Sequence, residues 1–122
     1  MSGVRKLILI SILGSALGAS ACGNSSPMPA PSGPATAVSI PQGASTLTTT
    51  AYSPNPVTVA VGTTVRWSNN DSVTHTSTAD GGAWNSGNVN GGSSFDFKFN
   101  SAGTFTYHCT IHPNMVGTVI VQ

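Results

Sequence analysis

The sequence contains no glutamate. Its only acids are Asp71, Asp80 and Asp96; charged residues make up 6% of the 122 positions, and the formal net charge is +1. Such a chain has no basic stripe with which to neutralise phosphates, so no nucleic-acid partner is expected. Three scattered aspartates form no evident acid/base pair, so the chain lacks the equipment of a hydrolase and is not expected to be an enzyme. Cysteine is almost as scarce: only Cys22 and Cys109 occur, and Cys109 alone falls in the part expected to fold. No disulfide can therefore form within that part. The low charge does not signal disorder, because 39% of the residues are hydrophobic, which excludes a highly charged, solvated chain.

The first residues read as a targeting segment. Arg5 and Lys6 form a basic head, Leu7 to Leu17 an apolar run, and Ala19-Ser20-Ala21 a small-residue cleavage site. The run is shorter than the ~20 residues of a permanent membrane helix, so residues 1–21 are predicted to be a signal peptide that is removed. Cys22 follows at once, and small residues ending in Cys resemble the lipobox of bacterial lipoproteins, where the Cys begins the mature chain and carries lipid. Ala19 stands where that motif usually has Leu, and the same segment satisfies an ordinary A-x-A rule that would release a soluble protein. An exported chain that began with a bare thiol would meet an oxidising space, which favours a lipidated Cys22. Residues 22–36 carry four prolines among Ser and Gly, too few apolar groups to bury, and read as a tether. The protein is thus expected at the periplasmic or extracytoplasmic face, held to a membrane through Cys22.

Residues 37–122 are predicted to form one folded domain. Apolar and polar residues alternate at Val57-Val59-Val61, Val65-Trp67, Phe95-Phe97-Phe99, Phe105-Tyr107-Cys109 and Val119-Val121. Turn clusters separate these runs, among them Asn69-Asn70-Asp71 and Asn90-Gly91-Gly92, and no helical period stands out beyond the leader. Many short strands at regular spacing predict an all-β, two-sheet sandwich. Roughly 85 residues give a marginal core that gains from a staple. With a disulfide excluded, a metal is the other common staple.

The ligating residues fall together. Cys109, His112 and Met115 lie within Cys109-Thr110-Ile111-His112-Pro113-Asn114-Met115, and His75 sits in a distant polar segment. A thiolate, two imidazoles and a thioether make a soft set, and two His with one Cys and a weak axial Met is the arrangement of copper sites used for electron transfer. Cys109 ends a strand, the tight loop after it can turn His112 and Met115 to the same point, and His75 can complete the set from a second loop. His108 should point away from Cys109, since strand neighbours alternate, and reads as a surface residue outside the ligand set. Trp67, Trp84 and Tyr107 read as packing residues.

The segments Asn69-Asn70-Asp71-Ser72-Val73-Thr74-His75-Thr76 and Gly103 to Val119 resemble the cupredoxins, the plastocyanin family. The two-residue gap between His112 and Met115 is similar to the amicyanin branch. The resemblance covers about residues 50 to 122. It implies a Greek-key β-sandwich of about eight strands and one blue, type 1 copper cycling between Cu(I) and Cu(II). It also implies that His112 lies near the surface as the electron port, with His75 deeper. Two positions depart from the family pattern. Thr76 stands where relatives often have an Asn that bridges the two ligand loops, a role open to Thr76 or Asn70. Ile111 stands where many have Pro.

Function follows as an expectation: a monomeric carrier that shuttles single electrons between redox partners. A cytochrome, a copper oxidase or reductase, or an amine dehydrogenase are the candidate partners, and an apolar patch around His112, Pro113 and Met115 the docking surface. A copper delivery or storage protein would use the same ligands for affinity instead. A cysteine-nucleophile enzyme built on Cys109 and His112 lacks an orienting partner.

Overall fold

Alternating side chains build the strands of the computed structural model, in which residues 34–122 are described. The expected leader 1–21, Cys22 and most of the tether 22–36 lie outside the described residues. Seven strands form: β1 (Thr36–Ile40), β2 (Val57–Val59), β3 (Thr64–Asn69), β4 (Thr78–Ala79), β5 (Ser94–Lys98), β6 (Gly103–His108) and β7 (Val116–Val121). A further bridge pairs His75 with Val89 outside these strands, which brings the architecture close to the eight strands expected. The only helical element among the described residues is a single 3-10 turn, Ala44–Thr46.

The strands divide into two sheets, one ordered β1-β3-β5 and the other β2-β7-β6-β4. β1 runs parallel to β3 and β2 parallel to β7, while β3–β5, β4–β6 and β6–β7 are antiparallel. Neighbours in space are thus often distant in sequence, the crossing connectivity of a Greek-key sandwich. β1 begins at Thr36, one residue before the predicted boundary, and β7 begins at Val116, ahead of the predicted Val119. Val61 does not extend β2: the chain turns at Gly62, whose φ of 91° suits glycine, and Val61 is exposed.

The period-two pattern sets what is buried. Val65, Trp67 and Asn69 of β3 point inward while Arg66 points out. Arg66 stands opposite Asp96 of β5 and makes a two-pronged ion pair with it at 2.7 and 2.8 Å. Both side chains are exposed, so the pair adds little stability. The core is aromatic at its centre. Trp67 stacks on Trp84 with ring centroids 5.5 Å apart, and Tyr107 meets Trp67 edge-on at 5.5 Å and Tyr52 at 4.7 Å. Aromatic pairs at these separations are worth about 0.5–1.5 kcal/mol each beyond their buried area. Trp67, Trp84 and Tyr107 are therefore packing residues, as expected from the sequence. Burial raises the Tyr107 hydroxyl well above the ordinary tyrosine range.

One end of this sandwich is specialised. β3 leads out into residues 70–77, β6 leads out into 109–115, and β7 starts where that second loop ends. Gly117, near the start of β7, lies against the Tyr107 ring so closely that a Cβ there would strike it. Gly117→Ala should therefore destabilise the fold by about 1–3 kcal/mol, the usual cost of overpacking a filled core. Urea unfolding monitored by tryptophan fluorescence measures it; an unchanged midpoint would show that the Tyr107 ring can move aside.

Candidate metal centre

Sequence places Cys109 one residue past β6, so its backbone is still set by the sheet. Its N–H donates to the Met115 carbonyl at 3.1 Å, and the Met115 N–H donates to the His112 carbonyl at 2.9 Å. These two bonds close the seven-residue segment into a compact loop and bring Met115 back beneath Cys109. Cys109 and Met115 are fully buried. His112, in the middle of the loop, is only partly buried.

The second loop delivers His75. Its backbone exchanges two hydrogen bonds with Val89, at 3.1 and 2.8 Å. Asn69, at the end of β3 and almost fully buried, organises the turn before it: its side-chain amide donates to the Val73 and Val89 carbonyls, both at 2.8 Å. His75 is fully buried. Its imidazole ring lies 5.0 Å from that of His112, centroid to centroid.

The donor atoms converge. Cys109 Sγ is 4.0 Å from His75 Nδ1 and 3.8 Å from His112 Nδ1. One atom from each of the three residues lies within 4.8 Å of the others. Metal–sulfur and metal–nitrogen bonds of about 2.3 and 2.0 Å, meeting at a trigonal angle, hold their donors roughly 3.7 Å apart. The observed separations match that requirement closely, so the three donors are spaced to share one ion. Two imidazoles, one thiolate and a nearby thioether fit a type 1 copper site. The structure thus gathers His75, Cys109 and His112 at one point, and backbone bonds tie the buried Met115 to Cys109 and His112. His75 lies deeper than His112, as the family resemblance implied.

Two polar residues tie the loops together. The Thr76 N–H donates to Cys109 Sγ at 3.3 Å, and the Thr76 hydroxyl accepts from the Thr110 N–H at 2.9 Å. Thr76 therefore fills the bridging role that the sequence left open between it and Asn70. Asn70 turns elsewhere and bonds the Ser39 hydroxyl at 2.7 Å. The Tyr52 hydroxyl, rising from the core, donates to the Thr76 carbonyl and fixes it from below.

Each aspartate proves to have a basic neighbour. Asp96 pairs with Arg66, as described above. Asp80 pairs with His108, whose side chain is 32% exposed and outside the donor cluster, in line with its expected place on the surface. Asp71 pairs with His75: its Oδ2 lies 2.8 Å from His75 Nε2, and both side chains are buried. The sequence gives Asp71 no role at the metal centre. Its only signal was an acid four residues before a candidate ligand in a polar turn. The hydrogen bond from His75, first, and backbone N–H groups of Gly43 and Ser72 hold its carboxyl down to about 2, against the opposing effect of burial.

Removing the bridge should loosen this end of the molecule. Thr76→Val keeps shape and deletes the hydroxyl, and should cost the metal-free protein about 1 kcal/mol, read as a lower urea midpoint. Thr76→Ser should recover most of the loss. Equal stability of the Val variant would show that water replaces the bridge.

Residues 22–121 match the family described as a cupredoxin-like domain. Amicyanin from Paracoccus denitrificans is 35% identical over 69 residues, which make up 52% of this chain and 53% of amicyanin. The chain thus spans about half the length of that curated relative. Among solved structures, a purple cupredoxin from Nitrosopumilus maritimus is 36% identical with a TM-score of 0.66, covering 71% of this chain and 99% of that one. A copper(I) form of an amicyanin variant is 28% identical with a TM-score of 0.62, covering 72% and 82% of the two chains.

Proposed function

The chain belongs to the cupredoxin family, and on that premise we propose that it is a type 1 copper electron carrier, with the metal held by His75, Cys109, His112 and Met115. The observation that carries this reading is the convergence of Cys109 Sγ with the two imidazole Nδ1 atoms at 3.8 and 4.0 Å. Bound copper would supply a centre that gains and loses one electron. The residues around it do the rest. The buried Cys109 and Met115 keep water from the sulfur side, and the backbone bonds of the 109–115 loop hold the donors in place. Ligands that barely shift keep the reorganisation accompanying each transfer small. His112 is the one member of the set that reaches solvent, which makes it the natural port for the electron.

Met115 is fully buried and so drops out of the docking patch expected around His112 and Pro113, and exposed Ile111 takes its place there, among the polar Thr110 and Asn114. Ile111 and Val73 are 45% and 42% exposed, and each lies within two residues of a proposed ligand. Pro113 is exposed beside them. The carboxylates that could steer a charged partner are each engaged with a neighbouring base. Docking of a cytochrome, a copper oxidase or reductase, or an amine dehydrogenase would then rest on small apolar contact more than on charge. The protein would work in the cell envelope as a monomer, exported by residues 1–21 and anchored through lipid on Cys22. Mass spectrometry of the mature N-terminus tests the anchor, and an unmodified Cys22 would remove it.

Protein loaded with Cu(II) should show an intense visible thiolate-to-copper band, and Cys109→Ser should abolish it. A colourless cupric complex of the natural sequence would overturn the reading. Cyclic voltammetry should show reversible one-electron cycling with the metal retained. Loss of copper on reduction would favour the delivery or storage role that the same ligands could serve. With any of the partners named, the association rate should depend little on ionic strength, and a steep dependence in stopped-flow measurements would exclude the apolar docking face.

A further inference from the structure

We propose that Asp71 is the positioning residue of the metal centre: its carboxylate fixes the tautomer of His75 before metal arrives and favours the more highly charged, cupric state once metal is bound. The inference rests on the ligand assignment above and extends it to a residue outside the donor set. It starts from one buried contact. Asp71 Oδ2 faces His75 Nε2 at 2.8 Å, with both side chains nearly without exposure. An ionised carboxylate can only accept, so Nε2 must carry the proton. In the neutral imidazole the other ring nitrogen, Nδ1, then keeps its lone pair, and it is Nδ1 that faces Cys109 Sγ at 4.0 Å. The carboxylate thereby sets which nitrogen is free to bind.

Asp71 is itself built in. Its N–H donates to Asn69 Oδ1 at 2.9 Å, and its Oδ1 accepts the Ser72 N–H at 2.8 Å. Gly91 packs so tightly on the Asp71 carbonyl that a Cβ there would come within 2.6 Å of it. Asn69 and Gly91 thus fix the Asp71 backbone, while the carboxylate itself is held by the Ser72 N–H on one oxygen and His75 on the other. Asp80 and His108, by contrast, form their pair at the surface, with side chains 49% and 32% exposed.

The expected consequence is electronic as well as geometric. A carboxylate behind a ligating imidazole raises its basicity and adds negative charge close to the ion. The doubly charged ion gains more from both than the singly charged one does. Outer partners of this kind are worth about 10–100-fold in metal affinity.

The test compares copper-loaded natural protein with Asp71→Asn, which keeps an acceptor oxygen and removes the charge, and with Asp96→Asn, which removes the same charge far from the site. Asp71→Asn should lower the ratio of Cu(II) to Cu(I) affinity about tenfold, raising the midpoint potential by about 59 mV, while its visible band persists. Asp96→Asn should leave the potential unchanged. An Asp71→Asn potential equal to that of the natural protein, or an equal shift in both variants, overturns the proposal. Should the Asn variant fail to fold, nitrogen-15 NMR of the natural metal-free protein decides. A slowly exchanging proton on His75 Nε2 supports the assignment, and a proton on Nδ1 refutes it. If the natural protein gives no thiolate-to-copper band, the electron-carrier reading fails, and the same NMR measurement still judges the role of Asp71.

Discussion

Thr76 clamps together the two loops that carry the centre, beyond the point where the β4–β6 pairing ends. One leaves β3 and the other leaves β6, and each is shaped by its own backbone bonds, which leave the distance between them to be set from outside. The bonds from Thr76 to the Cys109 sulfur and from the Thr110 backbone to the Thr76 hydroxyl cross that gap. Everything proposed for the centre depends on this crossing. If the loops part by about an ångström, the imidazole of His75 and the Cys109 sulfur are no longer spaced to share one ion. The clamp is in turn seated on the core, because Tyr52 reaches up from the aromatic cluster to hold the Thr76 carbonyl.

Rigidity at the tip is thus borrowed from the sandwich. Tyr52 packs on Tyr107, Tyr107 on Trp67, and Trp67 on Trp84. Close-packed interiors have low compressibility, so they resist displacement. A small domain without a disulfide would ordinarily be soft at its loops. Here the loops are fastened to the stiffest part of the molecule, which suits a site whose donors must stay still while charge comes and goes.

Much of this was legible in the residues. The alternation in Val65-Trp67 and Phe105-Tyr107 gives strands because period-two burial is a local property of the backbone. Cys109, His112 and Met115 could be grouped because they are near in sequence and chemically rare in this chain. His75 could be placed only by its company, since a lone histidine in a turn carries no pattern of its own and the Cys109 cluster called for a ligand from a second loop. Asp71 stayed hidden for a different reason. Its role arises from a turn geometry set by Asn69 and Ser72 and closed by Gly91 from another loop, and no spacing rule encodes such contacts. The choice between Thr76 and Asn70 was undecidable for the same cause: both are short polar side chains in one turn, and only the direction of each settles which crosses. Val61 misled because alternation continued past the point where Gly62 turns the chain.

Exposure is unevenly shared among the four proposed ligands. Cys109, Met115 and His75 are sealed, and His112 alone breaks the surface. The same imidazole that would pass electrons outward therefore also stands at the only short exit for the ion. Any protein that docks over it closes that exit. A carrier engaged with its partner would then be at its least prone to shed or swap its metal, so the moment of electron handover would double as the moment of tightest retention.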